Sequence, residues 1–284
     1  MKLPFSIPDL MRRYKKKQRV AAALQELNAR KTSGIVLAKP HGLPKPLIVS
    51  LTSFAARYQT LPLVLKSLLS QTMRPDKVVL WVSNEDHALL TEEILRFSAE
   101  GLEIARCDDL KSYDKIIHTL RLSSDCFIAT ADDDVYYWAE WLEGLVLGLG
   151  TGMQNVICHR AHEITIGSGG VPEPYSRWRK NIGEMPTSKL VFPTGVLGVL
   201  YPPGTFHPDV CNQTLFKDLC PTGDDIWLYW MFRLNGKTAR KTGAPRRVLE
   251  WPGSQTVHLQ QQNIVGNGNE IQLRNMVERY GFPD

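Results

Sequence analysis

The chain has 284 residues, 43% of them hydrophobic, with a formal net charge of +5. That length and apolar content exclude a disordered chain and predict one large domain or two closely packed halves. The opening "MKLPFSIPDL" lacks the apolar core of a signal peptide, and no run of about 18 apolar residues occurs anywhere. An unexported cytoplasmic protein is therefore expected.

Residues 11–19, "MRRYKKKQR", form a basic block that leads into the helix-like "VAAALQELNARK". This basic N-terminal helical arm could lie peripherally on an anionic membrane surface, pack on its own domain, or meet a second subunit. Nucleic acid is the weaker partner, because the cations are not interleaved with aromatics on a recognisable module. "KPHGLPKP", residues 39–46, breaks helix and reads as a linker, so 1–46 is an arm and a domain begins at Leu47. "LIVSLTSF" predicts a strand, "LPLVLKSLLSQT" a helix with Leu61, Val64, Leu65, Leu68 and Leu69 at helical spacing, and "DKVVLWVS" a second strand. A helix near "TEEILRFSA", a strand at "LEIAR", a helix around "YDKIIHTLRL" and a strand over Cys126–Thr130 continue the alternation. Such a pattern predicts an α/β fold with a mostly parallel central sheet flanked by helices.

Beyond about residue 150 the alternation weakens. "IGSGGVPEPYSRW" and "FPTGVLGVLYPPGTFHPD" read as long ordered loops, a length usually kept for function. "DDIWLYWMFRLNGK" predicts a helix that stops at Asn235 and Gly236. The five cysteines, Cys107, Cys126, Cys158, Cys211 and Cys220, contain no C-x-x-C pair and fit reduced thiols better than disulfides or a zinc site.

Asp132, Asp133 and Asp134 follow the strand over Cys126–Thr130 directly, so they sit at its carboxyl end, where open α/β sheets bind ligands. Three like charges so close repel, and a divalent cation, solvent or a held proton would relieve them. The same triplet would also suit the start of a helix over "VYYWAEWL", where the dipole favours carboxylates. Neither G-x-x-x-x-G-K-[ST] nor G-x-G-x-x-G is present, which argues against a P-loop kinase or a dinucleotide enzyme.

Taken together, "IVSLTSFAARYQTLPLVLKSLLSQTMRPDKVVLWVS", "TADDDVYY" and "PTGDDIW" resemble the nucleotide-sugar-dependent glycosyltransferases of the GT-A fold, especially bacterial family 2-like enzymes of capsule and lipopolysaccharide synthesis. The resemblance covers residues 47 to about 270. It implies a nucleotide-binding half over 47–145, an acceptor-binding half over 146–284, and transfer from a nucleotide-sugar donor, a UDP-sugar first, to a hydroxyl of a glycan or lipid-linked glycan. Asp132 and Asp134 would hold Mn²⁺ or Mg²⁺, ions suited to hard oxygen ligands, with His258 completing the metal shell. Asp132 would also serve the ribose side of the nucleotide, and Asp133 would either assist or point away.

Ser50, Thr52, Ser53 and Arg57 fall where such enzymes seat the base and ribose, although Thr52 and Ser53 also suit helix caps. Glu85 and Asp86 lie where an acid faces the nucleotide, or in an ordinary turn. Lys111 and Lys115 fall on the segment that brings a base to the diphosphate, Lys115 being preferred. One of Asp224 and Asp225 would take the proton from the acceptor hydroxyl in an inverting reaction. His159, Arg160 and His162 are candidates for contacts with sugar hydroxyls or phosphate, with structural histidines equally open. The start "CDDLKSYDK" lacks the glycine-rich opening usual in the third family segment.

Overall fold

The structure is a computed structural model and describes residues 7–30, 38–254 and 268–283. In chain order, helix α1 (Ile7–Ala29) precedes strand β1 (Leu47–Thr52), helix α2 (Leu61–Leu69), strand β2 (Lys77–Ser83) and strand β3 (Leu102–Cys107). Helix α3 (Asp114–Leu122) then leads to β4 (Phe127–Ala131), and α4 (Trp141–Gly148) follows. The later half carries β5 (Val156–Cys158), β6 (Ala161–Glu163), β7 (Met185–Ser188), β8 (Val191–Pro193) and β9 (Val199–Tyr201). Helices α5 (Gln213–Leu219) and α6 (Asp224–Leu234), strand β10 (Ala239–Lys241) and helix α7 (Gly268–Tyr280) complete it.

Eight strands form the central sheet in the order β3-β2-β1-β4-β9-β5-β10-β7. The first four are mutually parallel, as the alternation predicts. β9 runs antiparallel to both β4 and β5, β10 is parallel to β5, and β7 closes the far edge antiparallel. Separately, β8 pairs antiparallel with β6. Thus "FPTGVLGVLYPPGTFHPD", expected as a loop, contributes two strands. Their three-residue lengths, bounded by Pro and Gly, leave too few positions for a period of two to register.

Side-chain alternation explains why the parallel strands read as unbroken apolar runs. Leu47, Val49 and Leu51 of β1, Val78, Leu80 and Val82 of β2, and Phe127, Ala129 and Ala131 of β4 enter one core, shared with α1, α2 and α4. Ile48, Val79, Trp81 and Ile128 enter the other, with α3, α6 and α7. Both faces are covered by helices, so neither can be polar. Ser50 follows the same rule through a buried bond: its hydroxyl lies 2.8 Å from Thr119 Oγ1, which also accepts Trp81 Nε1–H at 2.9 Å. It ties β1 to α3 and does not reach the surface.

The order β3-β2-β1-β4 reverses direction at β1, because β2 lies on one side of it and β4 on the other. At such a switch point the connections leave in opposite directions and open a crevice outside the strand ends. Ser53 follows β1 there, and the acidic triplet follows β4. All five cysteines are free. Among the described residues, no helix is long and apolar enough to cross a membrane.

Candidate active site

The triplet is sorted by three different partners. Asp132 Oδ1 lies 2.9 Å from Lys115 Nζ, Asp133 Oδ2 accepts the Ser53 hydroxyl at 2.6 Å, and Asp134 Oδ2 lies 3.1 Å from Arg57 Nη1. Backbone contacts hold the turn: Asp132 N–H donates to Tyr137 Oη at 2.7 Å, and Trp251 N–H donates to the Asp134 carbonyl at 2.9 Å. Arg57 Nη1 also donates to the Ser254 carbonyl, which clamps residues 251–254 over the turn.

Lys115 is the hub. It enters from the first turn of α3, buried to 7% exposure, and reaches Asp224 Oδ2 at 3.2 Å as well as Asp132. Burial alone would lower its pKa, but Asp132, Asp224 and Asp225 together hold it well above the ordinary lysine value. It therefore stays a cation between two acid groups that arrive from β4 and from α6. Lys111 is placed elsewhere. Its ammonium pairs with Asp109 on its own turn, on a residue with φ of 60°, and that hydrogen bond raises its pKa.

Asp224 and Asp225 open α6 but differ in role. Asp224 is buried and faces Lys115, whereas the more accessible Asp225 accepts the Gly195 backbone N–H at 2.8 Å through Oδ1. Burial and the neighbouring Asp224 push Asp225 up to about 7, against the pull of Lys115. A helix N-terminus favours ionised carboxylates, but burial outweighs it at Asp225. Burial likewise lifts Asp133 to about 7 in spite of its Ser53 bond, with Asp134 and Asp132 adding to the rise.

Gly195 is a position beside the acids that composition alone does not flag. A Cβ there would meet Asp225 Oδ1 at 2.9 Å and Lys115 Nζ at 3.2 Å, so a side chain at this position would have to displace the ends of both groups. It lies in the "PTGVLG" segment after β8, next to Thr194. Thr194 Oγ1 accepts Arg160 Nη1–H at 2.8 Å, so Arg160 and Asp225 flank the Thr194–Gly195 pair from opposite ends. Lys180 Nζ sits 3.0 Å from the Tyr175 ring centroid, and its pKa is lowered to about 8 by burial.

Several expected residues serve the scaffold. Asp86 accepts Ala55 N–H at 3.1 Å on Oδ1 and the Ser83 hydroxyl at 3.0 Å on Oδ2, bracing the loop after β1 against the end of β2. Thr52 Oγ1 donates to the Trp81 carbonyl at 3.0 Å. His159 Nε2 lies 2.8 Å from the Trp141 carbonyl and is lowered to about 4 by burial. His162 Nδ1 accepts Asn181 N–H at 3.1 Å and is lowered to about 3, again chiefly by burial. Both imidazoles are neutral structural groups. His258 lies outside the described residues.

Five carboxylates (Asp132, Asp133, Asp134, Asp224, Asp225) thus surround two cations, Lys115 and Arg57. The surplus is negative, the donors are hard oxygens, and two of the acids are forced toward protonation. Such hard oxygen donors suit a divalent cation of the Mg²⁺ or Mn²⁺ class, although as placed no three of these five acids bring ligand oxygens within 4.8 Å of one another. A second group, Cys107, Asp114 and His118, brings ligand atoms within 4.8 Å of one another. There His118 Nε2 already lies 2.9 Å from Asp114 Oδ1 and 3.0 Å from the Asp108 carbonyl, which braces the turn between β3 and α3.

No protein-family model matches the sequence, and no curated protein matches it. Solved structures do. S. aureus TarS 1–349 in complex with UDP is 13% identical with a TM-score of 0.45, over 71% of this chain and 58% of that one. The glucosyl-3-phosphoglycerate synthase from Mycobacterium tuberculosis in complex with Mn²⁺, UDP and phosphoglyceric acid is 13% identical with a TM-score of 0.44, over 90% and 84%. The 4-diphosphocytidyl-2C-methyl-D-erythritolsynthase from Anaerococcus prevotii DSM 20548 is 12% identical with a TM-score of 0.44, over 80% and 96%. The chain spans 58% of the TarS chain. At these identities and TM-scores the likeness assigns no reaction.

Proposed function

We propose that the protein is a metal-dependent, inverting glycosyltransferase of the GT-A type, which moves a sugar from a nucleotide-sugar donor to a hydroxyl of a glycan or lipid-linked glycan. The observation that carries this reading is Lys115, which joins the acids after β4 to the acids opening α6 across 2.9 and 3.2 Å at the switch point of the sheet. Asp132 and Asp134 would hold Mn²⁺ or Mg²⁺, and the ion would supply positive charge for the leaving diphosphate. Lys115 and Arg57 add fixed positive charge beside it.

Asp225 is the general base. With a pKa near 7 it is a strong enough proton acceptor and still substantially ionised at neutral pH. It takes the proton of the acceptor hydroxyl as that oxygen forms a bond to the anomeric carbon, and the bond to the diphosphate breaks with its electron pair on the leaving oxygen. Asp224 keeps Lys115 in place, and the Gly195 N–H fixes which Asp225 oxygen faces outward. Arg160, half-buried at the other end of the Thr194–Gly195 pair, stands on the acceptor side, where its guanidinium suits a phosphate or hydroxyl group.

The test is calorimetric titration of a UDP-sugar and GDP-sugar panel with Mn²⁺ and then with chelator, followed by turnover with glycan acceptors. Metal-dependent binding of one donor, with nucleoside diphosphate released only when acceptor is present, is the expected result. Release of pyrophosphate, or consumption of donor without acceptor in the folded protein, would replace this reading with a nucleotidyltransferase or a hydrolase. Glycan binding without nucleotide, unaffected by Asp134→Asn, would leave a carbohydrate-binding module.

A further inference from the structure

Helix α1 has two faces with different tasks. Its second half is anchored: Val20, Ala23 and Leu27 are buried, Arg19 Nη2 donates to the Val248 carbonyl at 3.2 Å, and Lys16 meets Glu250 at 3.3 Å. At 100° per residue these five positions share one arc, which faces the body of the domain. Leu10, Met11 and Tyr14 lie on the opposite arc, and they are 49%, 55% and 63% exposed. Residues 10–18 are all exposed, and Lys16 reaches Glu250 from the surface of the domain.

The outward apolar arc is flanked by charge of one sign. Arg12, Arg13, Lys15, Lys16 and Lys17 fall within one and a half turns, and no acidic residue occurs between positions 10 and 25. A packed helix has its apolar stripe toward the core; here a second stripe points away from it and is rimmed by cations. That is the pattern of a helix that lies in a bilayer interface, with apolar side chains among the upper acyl carbons and lysines and arginines at anionic headgroups.

We propose that the first half of α1 docks on an anionic lipid surface, inserting Leu10, Met11 and Tyr14. The helix rests on residues 247–250, and this segment pairs with the chain just after the acidic triplet through the Val135–Glu250 bridge and the bond from Tyr136 N–H to the Leu249 carbonyl at 2.9 Å. The proposal stands apart from the reaction assigned above, since it uses none of the site residues.

It is tested by flotation of the full chain with vesicles of phosphatidylcholine alone and with 30% phosphatidylglycerol, at low and high salt. At least tenfold more protein should float with the anionic vesicles at low salt, and the Leu10→Ser/Met11→Ser/Tyr14→Ser variant should lose most of that binding with an unchanged thermal melt. No flotation of the folded protein would overturn the proposal. So would flotation that the triple variant leaves intact, which would mean charge attraction alone. A concentration-dependent dimer in sedimentation, abolished by the same variant, would assign the face to a second copy of this chain and overturn the lipid assignment.

Discussion

Gly195 donates its backbone N–H to Asp225 Oδ1 across 2.8 Å, at a position where a Cβ would stand 2.9 Å from the same oxygen. A side chain there would have to displace the carboxylate and the Lys115 ammonium. Gly195→Ala should push Asp225 and Lys115 apart by a few tenths of an ångström. A shift of that size at a reacting group costs about 10- to 100-fold in turnover. Donor binding measured by calorimetry should weaken as well, because the added Cβ also presses on Lys115, the cation proposed to face the diphosphate.

On the proposed mechanism, Asp225 would give the reaction and the fold opposite pH dependences. As general base it works ionised, so turnover should rise through about pH 7, and Asp225→Asn should lower it by about 10²–10⁴-fold without that rise. For stability the sign reverses. A carboxyl whose folded pKa lies above its unfolded value favours the folded state while protonated, and this contribution fades as pH rises from about 4 to about 7. Asp225→Asn should therefore raise the melting temperature at pH 8, by a contribution on the order of 1–2 kcal/mol after solvent screening. The gain should vanish near pH 4. Melting curves at the two pH values check both signs.

Lys115→Met removes the cation that Asp132 and Asp224 share. Truncating one member of a buried ion pair costs roughly 3–5 kcal/mol, because the remaining charges are left uncompensated. Urea unfolding at neutral pH should show a loss in the lower part of that range, since Asp132 keeps 24% of its side-chain surface exposed. Millimolar Mn²⁺ should restore part of the loss by placing another positive charge among the same oxygens. Lys111→Met, removing an exposed lysine paired only along its own turn, should change stability by less than about 0.5 kcal/mol.

Arg160 and Asp134 should separate the two substrates. Arg160→Ala should raise the KM for acceptor by about tenfold, the scale of one charged hydrogen bond, and leave the KM for donor unchanged. Asp134→Asn should lower turnover by orders of magnitude and weaken donor binding only when metal is present. Steady-state kinetics with each substrate varied in turn distinguishes the outcomes.

The parallel half of the sheet was legible because its strands bury both faces and its helices carry apolar residues at helical spacing. The triplet after β4 and the pair opening α6 were legible for a local reason: acids stacked at an element's end need a partner. What brings them together was not. The sequence favours Lys115 over Lys111, but that it reaches both Asp132 and Asp224 depends on the packing of α3 on β1 through Ser50 and Thr119. Asp86 has the placement of a nucleotide contact, yet its carboxylate oxygens accept from Ala55 and Ser83. Gly195 escaped because glycines in a Pro- and Gly-rich stretch look interchangeable until a neighbour's distance singles one out.

β9 is stitched between β4 and β5 by hydrogen bonds on both of its edges, and it follows within four residues the Gly195 whose N–H binds Asp225. A ladder of that kind cannot hinge. The span between the acids at the strand end and the base at the helix start is thus set once, during folding, and not assembled at each turnover. Mutations along β9, far from any substrate, should then register as lost stability before they register as altered specificity.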